Sequence, residues 1–189
     1  MADFRQCPST GIEQGSKNRP SLATITGQWI GMATIRHAIF PADRPAVLDI
    51  WREFVASPSV SLAHQNNQLE FDDIPGKYAA PDGCILLADG DAGDDGIEGC
   101  VSLKKVDAGI CEMKRLYVRP RARGTRLGHD LIERLIGEAR DLGYSEMRLD
   151  VLEEFVQAKK LYVAFGFVPA EPISFNPLPG TEFLGLRLK

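Results

Sequence analysis

Apolar residues recur along this chain in two alternating periods, and the change from one to the other predicts where strands and helices lie. Thr34 to Ala38 reads as a short strand. Ala46, Val47, Ile50, Trp51, Phe54 and Val55 then recur at helical spacing, with Asp43 as a candidate cap and Pro45 in the first turn. A weaker helix is expected within 60–70, before the turn-rich segment from Asp72 to Gly83. Cys84 to Ala88 is an apolar run of strand length. The aspartate- and glycine-rich loop Asp89 to Gly96 ends it and reads as a solvated hairpin turn, because its spacing lacks the late Glu of an EF-hand.

Strands over 97–104 and 109–118 follow as a hairpin joined at Asp107-Ala108-Gly109. In the second, strand alternation puts Ile110, Glu112, Lys114, Leu116 and Val118 on one face and Cys111, Met113, Arg115 and Tyr117 on the other. Pro120 stops it. Leu127, Leu131, Ile132, Leu135, Ile136, Ala139 and Leu142 trace an amphipathic helix ended by Gly143. A strand at 146–151 comes next, then a helix with Ala158, Leu161, Tyr162 and Phe165 on one face and Gly166 just past its end. Phe167–Pro169 and Thr181–Leu188 complete the set. Hairpins followed by a strand–helix–strand unit, whose crossover should be parallel, predict an α/β (α+β) domain around a mixed sheet.

Residues 1–31 show neither period and are rich in Gly, Ser, Thr, Asn, Gln and Pro; they read as a poorly ordered extension to a domain spanning 32–189. A chain of 189 residues, 44% apolar and 25% charged, fits one globular domain with a tail. A net charge of −4 argues against a nucleic-acid partner, whose affinity would come mostly from neutralised phosphates. Within that acidic average, Lys114, Arg115, Arg119, Arg121, Arg123 and Arg126 cluster. Cys7, Cys84, Cys100 and Cys111 form no C-x-x-C pair, and His37, His64 and His129 complete no metal pattern, so no metal is expected. No apolar run reaches the roughly 20 residues of a membrane helix, and no signal peptide is visible. A cytoplasmic protein without a membrane partner is the expectation.

The segment from Cys111 to Gly128 carries the chemistry. A strand feeding a Gly-containing loop and then a helix start gathers free backbone N–H groups and the positive end of the helix dipole in one place. Gly124 and Gly128 allow a tight turn and close approach, and Arg123 and Arg126 add charged donors. A pyrophosphate would suit such a site, although a helix start with ordinary surface arginines has the same pattern. The Walker and G-x-G-x-x-G patterns are both missing.

The run EMKRLYVRPRARGTRLGHDLI, with its continuation from Leu149-Asp150-Val151-Leu152 to Ala158-Lys159-Lys160-Leu161-Tyr162-Val163-Ala164-Phe165-Gly166-Phe167, resembles the acetyl-CoA binding motif of the GNAT N-acetyltransferase superfamily. The resemblance covers roughly 34–189 and implies a mixed, mostly antiparallel central sheet with helices on both faces. It implies that acetyl-CoA is the acyl donor, its pyrophosphate wrapped by Arg123, Gly124, Thr125, Arg126, Leu127 and Gly128, with His129 beside it. Arg126 departs from the usual glycine, but a backbone N–H survives the change. Phe155 stands where many members have an Asn near the pantetheine arm, so that contact should be absent. Leu116, Tyr117 and Val118 occupy the stretch that offers backbone groups to pantetheine and thioester.

The resemblance also implies that Tyr162 protonates the departing thiolate, against the plainer reading of a core aromatic. Glu112 is the candidate base, against the plainer reading of a salt bridge to Lys114. The implied activity is transfer of an acetyl group to a primary amine of a small molecule or peptide, by direct attack in a ternary complex. A non-catalytic acyl-CoA sensor is the alternative. Many relatives are dimers, so a homodimer is possible, and the loop Phe175 to Gly180 is expected to border the acceptor pocket.

Overall fold

A computed structural model of the chain describes residues 33–59, 67–90, 96–174 and 176–188. The extension read over 1–31, with Cys7, lies outside these residues. So do the aspartates at 91–95, the first part of the 60–70 helix and Phe175.

Seven strands form one sheet: β1 (Thr34–His37), β2 (Cys84–Asp89), β3 (Ile97–Asp107), β4 (Ile110–Val118), β5 (Glu146–Val151), β6 (Val168–Pro169) and β7 (Glu182–Arg187). Their order is β1-β2-β3-β4-β5-β7-β6. The β4–β5 pair is parallel and the others are antiparallel. The helices are α1 (Arg44–Ala56), α2 (Asn67–Asp72), α3 (Leu127–Asp141) and α4 (Val156–Ala164). The expected mixed α/β fold is therefore present, and α3 is the expected crossover between parallel strands. No helix among the described residues is long and apolar enough to cross a membrane.

Each face of the sheet carries its own core. Leu131, Ile132 and Leu135 of α3 pack with Leu86, Leu103, Met147 and Leu149 on one side. Val47, Ile50 and Trp51 of α1 pack with Phe71, Tyr78, Ile85 and Leu87 on the other. β2 supplies both cores from alternate positions, which is why it reads as an unbroken apolar run.

Two local readings change. Asp43 precedes α1 but makes no side-chain cap. Its carboxylate instead accepts from the Ile39 N–H at 2.6 Å and pairs with Arg36, fixing the entry of the chain into the helix. The strict alternation read for β4 also fails. Ser102 pairs with Lys114 and Cys100 with Tyr117, so Val101 faces two residues, Arg115 and Leu116. This β-bulge reverses the parity of everything after it. Leu116 and Val118 join Cys111 and Met113 on the α3 side, whereas Arg115 and Tyr117 lie on the α1 side.

Candidate active site

The sheet opens between its two parallel strands. β4 and β5 pair only through Ile110–Glu146, Cys111–Met147 and Glu112–Arg148. Beyond that point β4 stays on β3 as far as Val118, and β5 stays on β7 as far as Val151. The strands therefore splay, and the inner edge of β4 is left without a partner. Arg119 N–H donates to Glu98 C=O on β3 at 2.8 Å. By alternation, the amides of Val118 and Leu116 turn the other way, toward the opening. The Val118 carbonyl is met there by Arg123 Nε at 3.0 Å.

Arg115 holds the bulge. Its φ of 59° is left-handed, a conformation that costs an L-residue roughly 1–2 kcal/mol. Its side chain is 1% exposed and ion-paired with Glu70, while Asn67 accepts from Nη2 at 2.7 Å. The guanidinium also lies 5.2 Å from the ring of Trp51, 5.4 Å from Phe54 and 5.8 Å from Phe71. Its backbone carbonyl accepts from the Cys100 thiol at 3.1 Å. Burial tends to push Glu70 up, but the Arg115 charge and hydrogen bonds from Tyr78, Lys77 and Arg115 outweigh it and hold the carboxyl down at about 2.

At the far end of β4 the chain makes a tight 3-10 turn at Pro120–Ala122, then passes Gly124 at φ 83° and Arg126 at φ 73° into α3. Thr125 Oγ1 braces the loop by donating to Ala122 C=O at 2.7 Å. Among the described residues, none accepts a hydrogen bond from the amides of Gly124, Thr125, Arg126, Leu127 or Gly128. Five consecutive free amides at a helix start form an anion cradle. The left-handed Arg126 also explains why glycine would be comfortable at that position.

The opposite wall comes from β5 and α4. The resulting cleft, of about 990 Å³, runs from the anion loop past Leu116, Tyr117 and Val118 to Asp150, Val151 and Tyr162. Tyr162 is 6% exposed, with its ring 5.7 Å from that of Phe167. Burial pushes its hydroxyl above the ordinary tyrosine range, and the Asp150 charge adds to the rise. Phe54 stands between the walls, with ring centroids 6.4 Å from both Tyr117 and Phe155. Glu154, next to Phe155, accepts from the Ser59 amide at 3.0 Å and ties the segment after α1 to the same wall.

Where the strands begin to part, charged groups are stacked on the α1 face. Glu112 is 1% exposed and sealed between Lys104 at 2.5 Å and Lys114 at 3.0 Å; it does not line the cleft. Lys114 and Asp150 do line it, 3.7 Å apart across the two strands. Burial works against the Lys114 charge, but Glu112 and Asp150 outweigh it and hold its ammonium above the ordinary lysine range. Asp150 also accepts from Asn176 Nδ2 at 2.7 Å. Cys84, Cys100 and Cys111 are buried free thiols that burial pushes up to about 12. His129, Asp130 and Glu133 bring ligand atoms within 4.8 Å of one another on α3, an arrangement common on helices without an ion.

The profile of the acetyltransferase (GNAT) family matches residues 45–167, which takes in the splay, the anion loop and Tyr162. The chain belongs to the GNAT acetyltransferase family. It is 38% identical to an uncharacterized N-acetyltransferase of Schizosaccharomyces pombe over 138 residues, covering 72% of this chain and 83% of that one. A GNAT-family acetyltransferase from Staphylococcus aureus superposes with a TM-score of 0.69 at 18% identity, over 82% of this chain and 100% of that one. A Salmonella typhimurium structure described as a putative acetyltransferase with its cofactor acetyl-CoA gives 0.60 at 22% identity, over 84% and 95%.

Of the residues picked out from the sequence of this GNAT protein, Leu116, Tyr117, Val118, Arg123, Gly124, Arg126, Leu127, Gly128, His129 and Tyr162 all meet in the cleft. Thr125 supports the loop from behind, and Glu112 lies beneath Lys114. Its expected position on the Leu116 and Val118 face is corrected by the bulge, which puts it on the opposite side. Sequence reading missed Phe54, Asp150 and the Glu70–Arg115 pair. Glu70 and Arg115 are 45 positions apart, and nothing local marks them as partners.

Proposed function

We propose that this protein is an acetyl-CoA-dependent N-acetyltransferase that acetylates a primary amine of a small molecule or peptide by direct attack. The observation that carries this reading is the continuity of one cleft, from five free amides at the start of α3 to the Tyr162 hydroxyl. A pyrophosphate fits the amide cradle, with Arg123 and Arg126 beside it. The pantetheine arm is a chain of amides, and the outward-facing backbone of Val118 and Leu116 can pair with it as a strand would.

In this reading the thioester lies at the splay, where the Leu116 N–H stands ready to stabilise the developing oxyanion. Donors of that kind are worth about 2.7–4 kcal/mol. Tyr162 gives its proton to the leaving sulfur. Direct transfer is favoured over a cysteine-bound acetyl because every described thiol is buried and held protonated.

Tyr162→Phe keeps the ring in its core and removes only the hydroxyl. Turnover should fall at least tenfold, with acetyl-CoA affinity by calorimetric titration within about twofold of wild type. Unchanged turnover would remove the acid role, and with intact binding it would favour an acyl-CoA sensor. Because the Tyr162 hydroxyl is raised, its acid form persists as pH rises. Turnover should therefore show no alkaline fall from this group below about pH 10.

A further inference from the structure

We propose that Asp150 is a catalytic residue: it receives the acceptor's amino group on the α1 face of the opened sheet and takes a proton from the nitrogen. This rests on the acetyltransferase reading above. The first support is position. Asp150 is two residues beyond Arg148, the last β5 residue paired with β4, and it stands across from Lys114 where the strands part. At about 3.3 Å per strand residue, the Leu116 amide is only two steps further along β4. Asp150 and the proposed oxyanion donor thus flank the same point of the cleft.

The second support is the side from which it reaches that point. Leu149 and Val151 pack into the core beneath α3 and α4, so Asp150 between them projects to the α1 face. Tyr162 belongs to the α3–α4 core. The two groups therefore approach the gap from opposite faces of the sheet. A nucleophile entering from the α1 side would meet Asp150, and a thiolate leaving on the other side would meet Tyr162.

The third support is the state of the carboxylate. Asp150 is 13% exposed at the cleft, whereas Glu112 is 1% exposed and closed off by two lysines. Asn176 Nδ2 fixes Oδ2 at 2.7 Å, and Asn176 is itself pinned by the Leu178 amide at 3.1 Å. Oδ1 has Lys114 Nζ at 3.7 Å, beyond hydrogen-bond length, so it can still accept from an amine.

The protons balance. A primary ammonium loses one proton to become the attacking amine. It loses a second from nitrogen as the N–C bond forms and the C–S bond breaks. Both leave to solvent in turn through Asp150, and the sulfur gains one from Tyr162, which takes one back from solvent, so the net release is one. The products are an N-acetyl amide, CoA thiol and a released proton.

The test compares wild type with Asp150→Asn, Asp150→Glu and Asp150→Ala in thiol release from saturating acetyl-CoA. The acceptor is the amine giving the fastest wild-type release, or hydroxylamine if no amine gives any. Acetyl-CoA affinity and melting temperature are recorded for each variant. The expected result is a loss of kcat on the order of 100-fold in Asp150→Asn, with acetyl-CoA affinity within threefold. Asp150→Glu should be partly active, and added formate should restore part of the activity of Asp150→Ala. Asp150→Asn turnover within threefold of wild type would overturn the proposal. So would loss of folding or donor binding in Asp150→Asn and Asp150→Ala, or an Asp150→Ala variant that formate does not rescue. Wild-type protein that binds acetyl-CoA but releases no thiol with any nucleophile would instead be a failure of the acetyltransferase reading itself.

Discussion

Replacing Arg115 with alanine should destabilise the fold by about 3–5 kcal/mol, the usual cost of leaving one member of a buried ion pair alone. Glu70 is 7% exposed on its side chain and has Arg115 as its buried cationic partner, with Lys77 at 3.0 Å on the solvent side. The same substitution removes the guanidinium from among Trp51, Phe54 and Phe71, leaving a void that α1 and α2 now close on. Urea unfolding of wild type, Arg115→Ala, Glu70→Gln and the double variant measures the coupling. The double variant should cost clearly less than the sum of the singles; a loss below about 1 kcal/mol in Arg115→Ala would contradict the buried-pair account.

The pH dependence of that stability has a definite sign. Glu70 is held at about 2 in the fold against an ordinary 4.5. Its contribution is complete above pH 4.5 and is lost as pH falls toward 2. Wild type should therefore lose stability through that window more steeply than Glu70→Gln. Turnover should suffer too, because the Arg115 bulge turns the Leu116 amide toward the cleft.

Gly128→Leu should weaken acetyl-CoA binding on the order of 100-fold, equivalent to about 2.7 kcal/mol. A Cβ at Gly128 would sit 3.4 Å from Leu161 Cδ1 and 3.7 Å from Val118 Cγ2. A methyl fits there, but a branched side chain fills the gap between the anion loop and α4. That gap is where a pyrophosphate must lie to reach the loop amides. Leucine is a good helix former, so α3 should survive and the melting temperature should hold. Gly128→Ala is the companion variant, expected to bind within a few-fold of wild type. Equal titration curves for Gly128→Leu and wild type would place the donor's phosphates elsewhere.

The parts of this molecule that follow from local pattern were legible in the sequence. α3 announces itself by seven apolar positions at helical spacing and a glycine stop, and β2 by an apolar run that feeds both cores. The anion loop was legible because a strand, glycines and a helix start are adjacent in the chain. The failures share one cause: they depend on partners distant in sequence. The bulge at Arg115 is set by Glu70, Asn67, three rings and the Cys100 thiol, and it inverted the faces assigned to Leu116, Val118, Arg115 and Tyr117. Glu112 looked like a cleft carboxylate on strict alternation, but the bulge carries Leu116 and Val118 to the other face, and Lys104 and Lys114 close over Glu112. Asp150 passed as an ordinary strand residue, because its surroundings are assembled from β4 and the Asn176 loop.

The central claim is tested most directly by thiol release from acetyl-CoA with the purified full chain and a panel of primary amines, amino acids and peptides. The account predicts release that depends on at least one amine, with the matching N-acetyl product seen by mass spectrometry and CoA formed in equal amount. Titratable acetyl-CoA binding with no amine-dependent release across the panel would contradict it.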